Sequence, residues 1–163
     1  MEEIMQEMKR REFLKTGATT VIVASTCLCG LNGCATFTKV GDTLSIKPEA
    51  LTRKDHELLI DLSKEPVLRQ VGNAVKIKNE WIPQGVIIAH TEENTYHIVS
   101  LSCTHRGAEV EYDHQNRRFV CASLGSSKYS LEGQLMKGPA KKSLQPFTAT
   151  LQDGILSIKI TKS

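Results

Sequence analysis

Aromatic side chains are scarce in this chain, 5% of its 163 residues, and no large excess of charge makes up for them, the formal net charge being +3. A surface that binds nucleic acid combines a clustered basic field with rings for stacking. Neither is present, and nucleic acid is set aside as a partner. The sequence also lacks internal repeats and low-complexity tracts. Its length therefore corresponds to one ordinary domain plus a short appendage, at roughly 100 to 200 residues per domain. No long apolar run occurs. The weakly apolar stretch from Gly17 to Leu31 is shorter than the ~20 residues a committed membrane span needs, and glycines interrupt it. Beyond residue 56 no segment carries a long helical stripe, which excludes a bundle. No acid–base or nucleophile constellation stands apart to support independent catalysis. Cysteine is sparse as well: Cys27, Cys29 and Cys34 lie in the first 34 residues, so the rest of the chain holds only Cys103 and Cys121.

The appendage is N-terminal. Lys9-Arg10-Arg11-Glu12-Phe13-Leu14-Lys15 resembles the twin-arginine export signal of bacteria, a receptor-read address for proteins that cross the membrane already folded. Glu2, Glu3 and Glu7 are an acidic departure from a basic leader. Leu31-Asn32-Gly33-Cys34 resembles a lipobox, in which Cys34 would carry the lipid. Cleavage by an ordinary signal peptidase before the domain and retention of the segment as a weak anchor are the two alternatives. The reading is a signal over residues 1–34, a linker over 35–56 with a short helix within 48–55, and a folded domain over 57–163. Such a chain would sit in the periplasm or on the outer side of the cytoplasmic membrane. Its leader or lipid would hold it at the membrane surface.

Within the domain, apolar residues alternate in short runs with period two, the pattern of half-buried strands. The predicted strands cover residues 58–62, 67–78, 85–90, 96–101, 117–121, 146–152 and 155–160. Turn residues separate them, and Asp153-Gly154 is a hairpin turn whose residues accept positive backbone angles. Many short strands at regular spacing predict an all-β domain, a small antiparallel sandwich or barrel. Cys103-Thr104-His105-Arg106-Gly107 and Cys121-Ala122-Ser123-Leu124-Gly125-Ser126 then fall in two loops, each delivered by a strand.

These two boxes, with Gly133 and Gly138-Pro139-Ala140 downstream, resemble the Rieske iron–sulfur domain over roughly residues 58–160. The resemblance implies an electron carrier with two cluster-binding loops and a [2Fe–2S] cluster. Cys103 and Cys121 would ligate the inner iron and His105 the outer iron, with Ser126 as a hydrogen-bond donor to cluster sulfur and the Gly-Pro loop as a cover. A Rieske centre takes two thiolates and two imidazoles. Here Leu124 stands where the second imidazole belongs, and it has no donor atom.

Two further departures accompany it. Ala108 and Ser123 occupy the positions of the family's bracing disulfide. Tyr129 comes one place later than the aromatic that follows the Gly-Ser pair, with Lys128 in its slot. An exported single-electron relay, or the small subunit of a periplasmic redox complex with a redox protein as partner, is the expected function, with an atypical fourth ligand. The alternative is a cluster-free module of the same fold that binds or scaffolds a partner, stabilised by a Cys103–Cys121 disulfide. Lys141-Lys142, beside the loop, is a solvated charge pair or a contact for an acidic partner.

Overall fold

The computed structural model describes residues 43–123 and 126–160. The expected signal over 1–34, its boundary at Cys34 and the substituted position Leu124 lie outside the described residues. In chain order the strands are β1 (Leu44–Ser45), β2 (Leu51–Lys54), β3 (Glu57–Asp61), β4 (Ala74–Asn79), β5 (Ile82–Glu92), β6 (Thr95–Ser100), β7 (Val110–Asp113), β8 (Arg118–Cys121), β9 (Lys128–Tyr129), β10 (Leu135–Lys137), β11 (Pro146–Phe147), β12 (Ala149–Gln152) and β13 (Ile155–Lys159). Two 3₁₀ turns, Pro48–Ala50 and Pro66–Arg69, are the helical elements among the described residues. The strands form three sheets, ordered β1-β4-β5-β6-β11, β12-β13-β3-β2 and β10-β9-β8-β7. Every pairing is antiparallel except β1 with β4. This is the expected small antiparallel all-β domain.

Alternation does much of the work. β3 buries Leu58 and Ile60, β13 buries Leu156 and Ile158, and the register sets Leu58 opposite Ile158 and Ile60 opposite Leu156. A fully buried side chain of this size contributes roughly 1.5–3 kcal/mol. Asp153 and Gly154, at φ +51° and +77°, make the turn between β12 and β13 that the Asp-Gly pair predicts. β5 differs, because it is buried continuously from Gly85 to Thr91. Val86 and Ile88 enter one hydrophobic core with Leu58, Ile60, Val75, Ile77 and Leu156. Ile87 and Ala89, on the opposite face, enter a second core with Val99, Leu101, Val110, Phe119, Tyr129 and Leu144. The two cysteines line that second core.

On β4, Val75 and Ile77 face the first core and Lys76 faces the other way. Its ammonium, buried, pairs with the buried Glu111 carboxylate of β7 and lies 3.1 Å from Glu109. Lys78 pairs with Glu109 as well, and the Thr43 N–H donates to Glu111 at 3.3 Å. An ammonium and a carboxylate can be buried together because each neutralises the other; either alone would be strongly penalised. This ion cluster fastens the sheet containing β4 to the one containing β7.

Three expectations need correction. Residues 48–55 are not a helix. After the 3₁₀ turn at Pro48–Ala50, Leu51 to Lys54 pair with β3, and Asp55 at φ +50° turns the chain between the two strands. Within the expected linker, residues 44–45 and 51–54 are therefore strand, and the chain between them is anchored where the Lys47 N–H donates 2.9 Å to the buried carboxylate of Glu65. The run 67–78 does not form one strand, because Pro66 opens a 3₁₀ turn and Gly72, at φ +94°, makes a further turn before β4 begins at Ala74. The run 146–152 divides at Thr148, so that β11 pairs with β6 and β12 with β13.

Candidate metal centre

Box one is a tight loop after β6, closed by an isolated bridge between Ser102 and Glu109. The Cys103 N–H donates to the Ala108 carbonyl at 2.7 Å, and the Gly107 N–H returns to the Cys103 carbonyl at 2.8 Å. Gly107 makes that return possible at φ +73°. Box two leaves the sheet at the end of β8. The pairs Phe119↔Tyr129 and Val120↔Lys128 continue into a Cys121 N–H to Ser127 carbonyl bond of 2.8 Å, so the excursion runs from Ala122 to Ser126. The Ala122 N–H donates to the Glu109 carbonyl at 2.9 Å, which ties the two loops together without a disulfide.

Cys103 and Cys121 are both buried free thiols, each 2% exposed. The Tyr129 hydroxyl lies 3.2 Å from Cys103 Sγ and 3.3 Å from Thr104 Oγ1, and Thr104 donates 2.6 Å to the Lys142 carbonyl. Ser123 Oγ lies 3.1 Å from Cys121 Sγ. Burial opposes the thiolate at Cys103. Hydrogen bonds from the Tyr129 hydroxyl, the Cys121 thiol and the His105 and Arg106 backbone more than offset it and hold the Cys103 thiol below its ordinary value. Burial pushes the Cys121 thiol up, and its neighbour Cys103 adds to the rise.

His105 is half-buried, and its Nδ1 is buried without a hydrogen-bond partner. Buried polar atoms are almost always satisfied, so an unpartnered ring nitrogen two residues from the Cys103 thiol leaves room for a ligand; both ring nitrogens of His90 are unpartnered as well, so it is the Cys-Thr-His setting that singles out His105. Among the described residues no three His, Cys, Asp or Glu side chains gather closely enough for a single ion. A two-iron cluster makes no such demand, since it divides its thiolates and imidazoles between two metals. Three donors therefore fit a [2Fe–2S] group, and the fourth position in the sequence carries Leu124.

Two neighbouring serines close box two, and they differ in burial. Ser126 is exposed, at φ +36°. Ser127 is the buried one, 1% exposed, and its Oγ accepts the Ala140 N–H at 3.1 Å from the Gly-Pro loop. Gly138 lies against Ser127 so closely that a Cβ there would stand 2.5 Å from Ser127 Cα. Tyr129 is fully buried with its hydroxyl at Cys103. Counting backwards from Tyr129 gives Ser127-Lys128-Tyr129, the Ser-x-aromatic spacing of the family. The signal for Ser127 was present in the spacing, but it is visible only when box two is read from its sheet-bound end. Lys128 is half-buried on β9, opposite Lys137.

The model of the Rieske [2Fe–2S] domain matches residues 65–148. The chain belongs to this family. The match takes in both boxes, the Gly-Pro loop and the strands that carry them. Among solved structures, this Rieske chain is similar to the plasma membrane Rieske protein PetC3 of the cyanobacterium Synechocystis PCC 6803, at 21% identity over 61% of this chain and 91% of that one, with a TM-score of 0.47. It is similar to the ferredoxin of carbazole 1,9a-dioxygenase from Nocardioides aromaticivorans IC177, at 10% identity over 56% and 88% of the two chains, TM-score 0.49. The quaternary ammonium Rieske monooxygenase CntA matches at 16% identity over 59% of this chain and 29% of its own, TM-score 0.46. No curated protein sequence matches. Among the described residues no helix is long and apolar enough to cross a membrane.

Proposed function

We propose that this Rieske-family protein is an exported one-electron relay in which Cys103, Cys121 and His105 hold a [2Fe–2S] cluster whose fourth ligand is not a protein imidazole. When bound, the cluster takes up and releases a single electron. The observation that carries the reading is the buried, unpartnered Nδ1 of His105 in the same loop as the buried free thiol of Cys103. The residues around it suit that role. The Tyr129 hydroxyl lies 3.2 Å from Cys103 Sγ, and toward a thiolate, which can only accept, it would be the donor and favour the anion. The Gly-Pro loop lies over Ser127 and is held there by the Ala140 N–H, which limits water at the thiols.

The twin-arginine-like segment Lys9 to Lys15 supports export after folding, and the lipobox-like Cys34 supports attachment to the outer face of the cytoplasmic membrane. A redox protein, or a larger oxidoreductase of which this is the small subunit, is the proposed partner. Because the outer imidazole pair raises the potential of these centres, loss of one imidazole at Leu124 shifts the potential and leaves a coordination position open to water, hydroxide or a nearby side chain. Quinol chemistry would suffer most.

Electron paramagnetic resonance of the reduced, anaerobically purified protein, together with iron and sulfide analysis, tests the reading. Two irons and two sulfides per chain with the signal of a reduced [2Fe–2S] cluster are expected. Iron-free protein in stoichiometric amount would refute it. In that event a two-dalton mass increase on reduction would identify the disulfide-linked scaffold, although both thiols are free in this structure.

A further inference from the structure

The end of the domain that carries the two boxes is rich in cations. Residues 103–108 and 121–145 include Arg106, Lys128, Lys137, Lys141 and Lys142 against a single acid, the exposed Glu132, whose carboxylate accepts from Ser130 Oγ at 2.7 Å; Glu109, at the end of box one, is taken up by Lys76 and Lys78. These segments touch one another. Thr104 donates to the Lys142 carbonyl, Ala140 donates to Ser127, and Lys137 stands directly opposite Lys128 across the β9–β10 pair. Arg106, Lys137, Lys141 and Lys142 are exposed and Lys128 is half-buried. Among the described residues none of the five meets a carboxylate, whereas Lys64, Lys76, Lys78, Arg117 and Arg118 elsewhere in the domain each do. Like charges set opposite each other on neighbouring strands are destabilising. The arrangement therefore works against folding, and an external counter-charge would relieve it.

An apolar feature lies among these cations. The register of β9 and β10 slips between Leu135 and Lys137, so Met136 is an extra residue in a bulge. Bulges re-aim a side chain out of the regular ladder. Met136 is 64% exposed, the most exposed of three exposed large hydrophobic side chains among the described residues, and the exposed Pro139 follows three residues later. A small apolar centre with a charged rim is the layout of a protein-docking surface. Flexible methionine suits a contact that forms and breaks often.

We infer that this face docks an acidic protein surface, with Met136 at the centre of the contact and Arg106, Lys128, Lys137, Lys141 and Lys142 at its rim. The inference takes from the electron-relay reading only the purpose of the contact, which is to bring a partner to the side of the domain where the thiols lie. Opposite charge at the rim steers encounter and sets orientation, and it accelerates association most at low salt.

The test uses the full-length chain labelled with nitrogen-15 and a short poly-L-glutamate peptide as probe. Amide shifts confined to the neighbourhood of Arg106, Lys137, Lys141 and Lys142, weakening as salt is added, are expected. A Lys137→Glu/Lys141→Glu/Lys142→Glu variant should bind about tenfold more weakly or worse, in line with the scale of electrostatic steering. A Lys54→Glu/Arg69→Glu/Lys159→Glu variant makes the same change in net charge at exposed positions on other segments, and it should bind as the native chain does. Equal weakening in both variants, or no binding by the native chain, overturns the inference. So does tight binding of phosphatidylglycerol vesicles through the same lysines without binding of the peptide, which would assign the face to a membrane. Iron is measured on the same preparation. The peptide readout does not depend on it, so failure of the electron-relay reading and failure of this one are seen separately.

Discussion

Replacing Gly138 by Ala tests whether the Gly-Pro loop is pressed onto box two or merely lies near it. Two costs are expected. Gly138 has φ +114°, a conformation that L residues rarely adopt, and a strained backbone of this kind costs about 1–3 kcal/mol. The new methyl group would also stand 2.5 Å from Ser127 Cα and 2.9 Å from its Oγ. The first of these atoms is backbone, held by the Cys121–Ser127 hydrogen bond, and cannot rotate away. Overpacking of this sort costs about 1–3 kcal/mol more. The sum is roughly 2–6 kcal/mol, a large fraction of the 5–15 kcal/mol that holds an ordinary domain folded. Gly154→Ala is the control, because Gly154 has φ +77° and nothing within 4 Å of its would-be Cβ. It should cost only the backbone part, about 1–2 kcal/mol. Urea unfolding of the native chain and both variants, compared at constant slope, measures the difference. If Gly138→Ala loses no more stability than Gly154→Ala, the loop is free to back away and the packing argument is wrong.

Lys76→Met should destabilise the chain by about 3–5 kcal/mol in urea unfolding, because it strands the buried Glu111 carboxylate. A Lys76→Met/Glu111→Leu double variant should be milder. The same cluster shapes the pH profile. The Lys78 ammonium holds the Glu109 carboxyl below its ordinary 4.5, so its contribution is complete above that value and is lost as pH falls through the lowered one. Burial works against the Lys76 ammonium, but Glu111 and Glu109 raise it net above 10.5, so its contribution is complete below 10.5 and is lost as pH rises through the raised value. In Glu109→Gln the acid limb of a stability titration should flatten. Tyr129→Phe removes a hydroxyl that bonds both Cys103 and Thr104, and should cost about 0.5–1.5 kcal/mol. It should also raise the pKa of the Cys103 thiol in iron-free protein, seen as slower alkylation at a fixed pH. Leu124→His should raise the iron content per chain. Unchanged iron would mean that the excursion 122–126 cannot aim an imidazole at the site.

Much of this was legible in the sequence wherever one face of a strand is buried and the other is not. β3 and β13 alternate cleanly, and Asp153-Gly154 marks its own hairpin. β7 was not legible, because Val110-Glu111-Tyr112-Asp113 carries two buried carboxylates, at Glu111 and Asp113. Their partners, Lys76 on β4 and Arg118 on β8, come from other strands, which a local pattern cannot foresee. Strands of two or three residues such as β1, β9 and β10 are too short to show any period. At the site, box one was readable because its ligand spacing is intact. Box two is harder to read, because Tyr129 comes one place late when counted forward from Cys121, whereas its position is fixed by pairing opposite Phe119, which no forward count along the loop reveals.

Because successive residues of β5 enter different cores, Val86 and Ile88 on one side and Ile87 and Ala89 on the other, neither core can give up this strand without the other losing it too. A fault near the N-terminal strands would be felt at the thiols as loss of the shared strand, and a fault in the site-bearing sheet would expose the first core. Amide exchange in β5 should therefore report on global unfolding only.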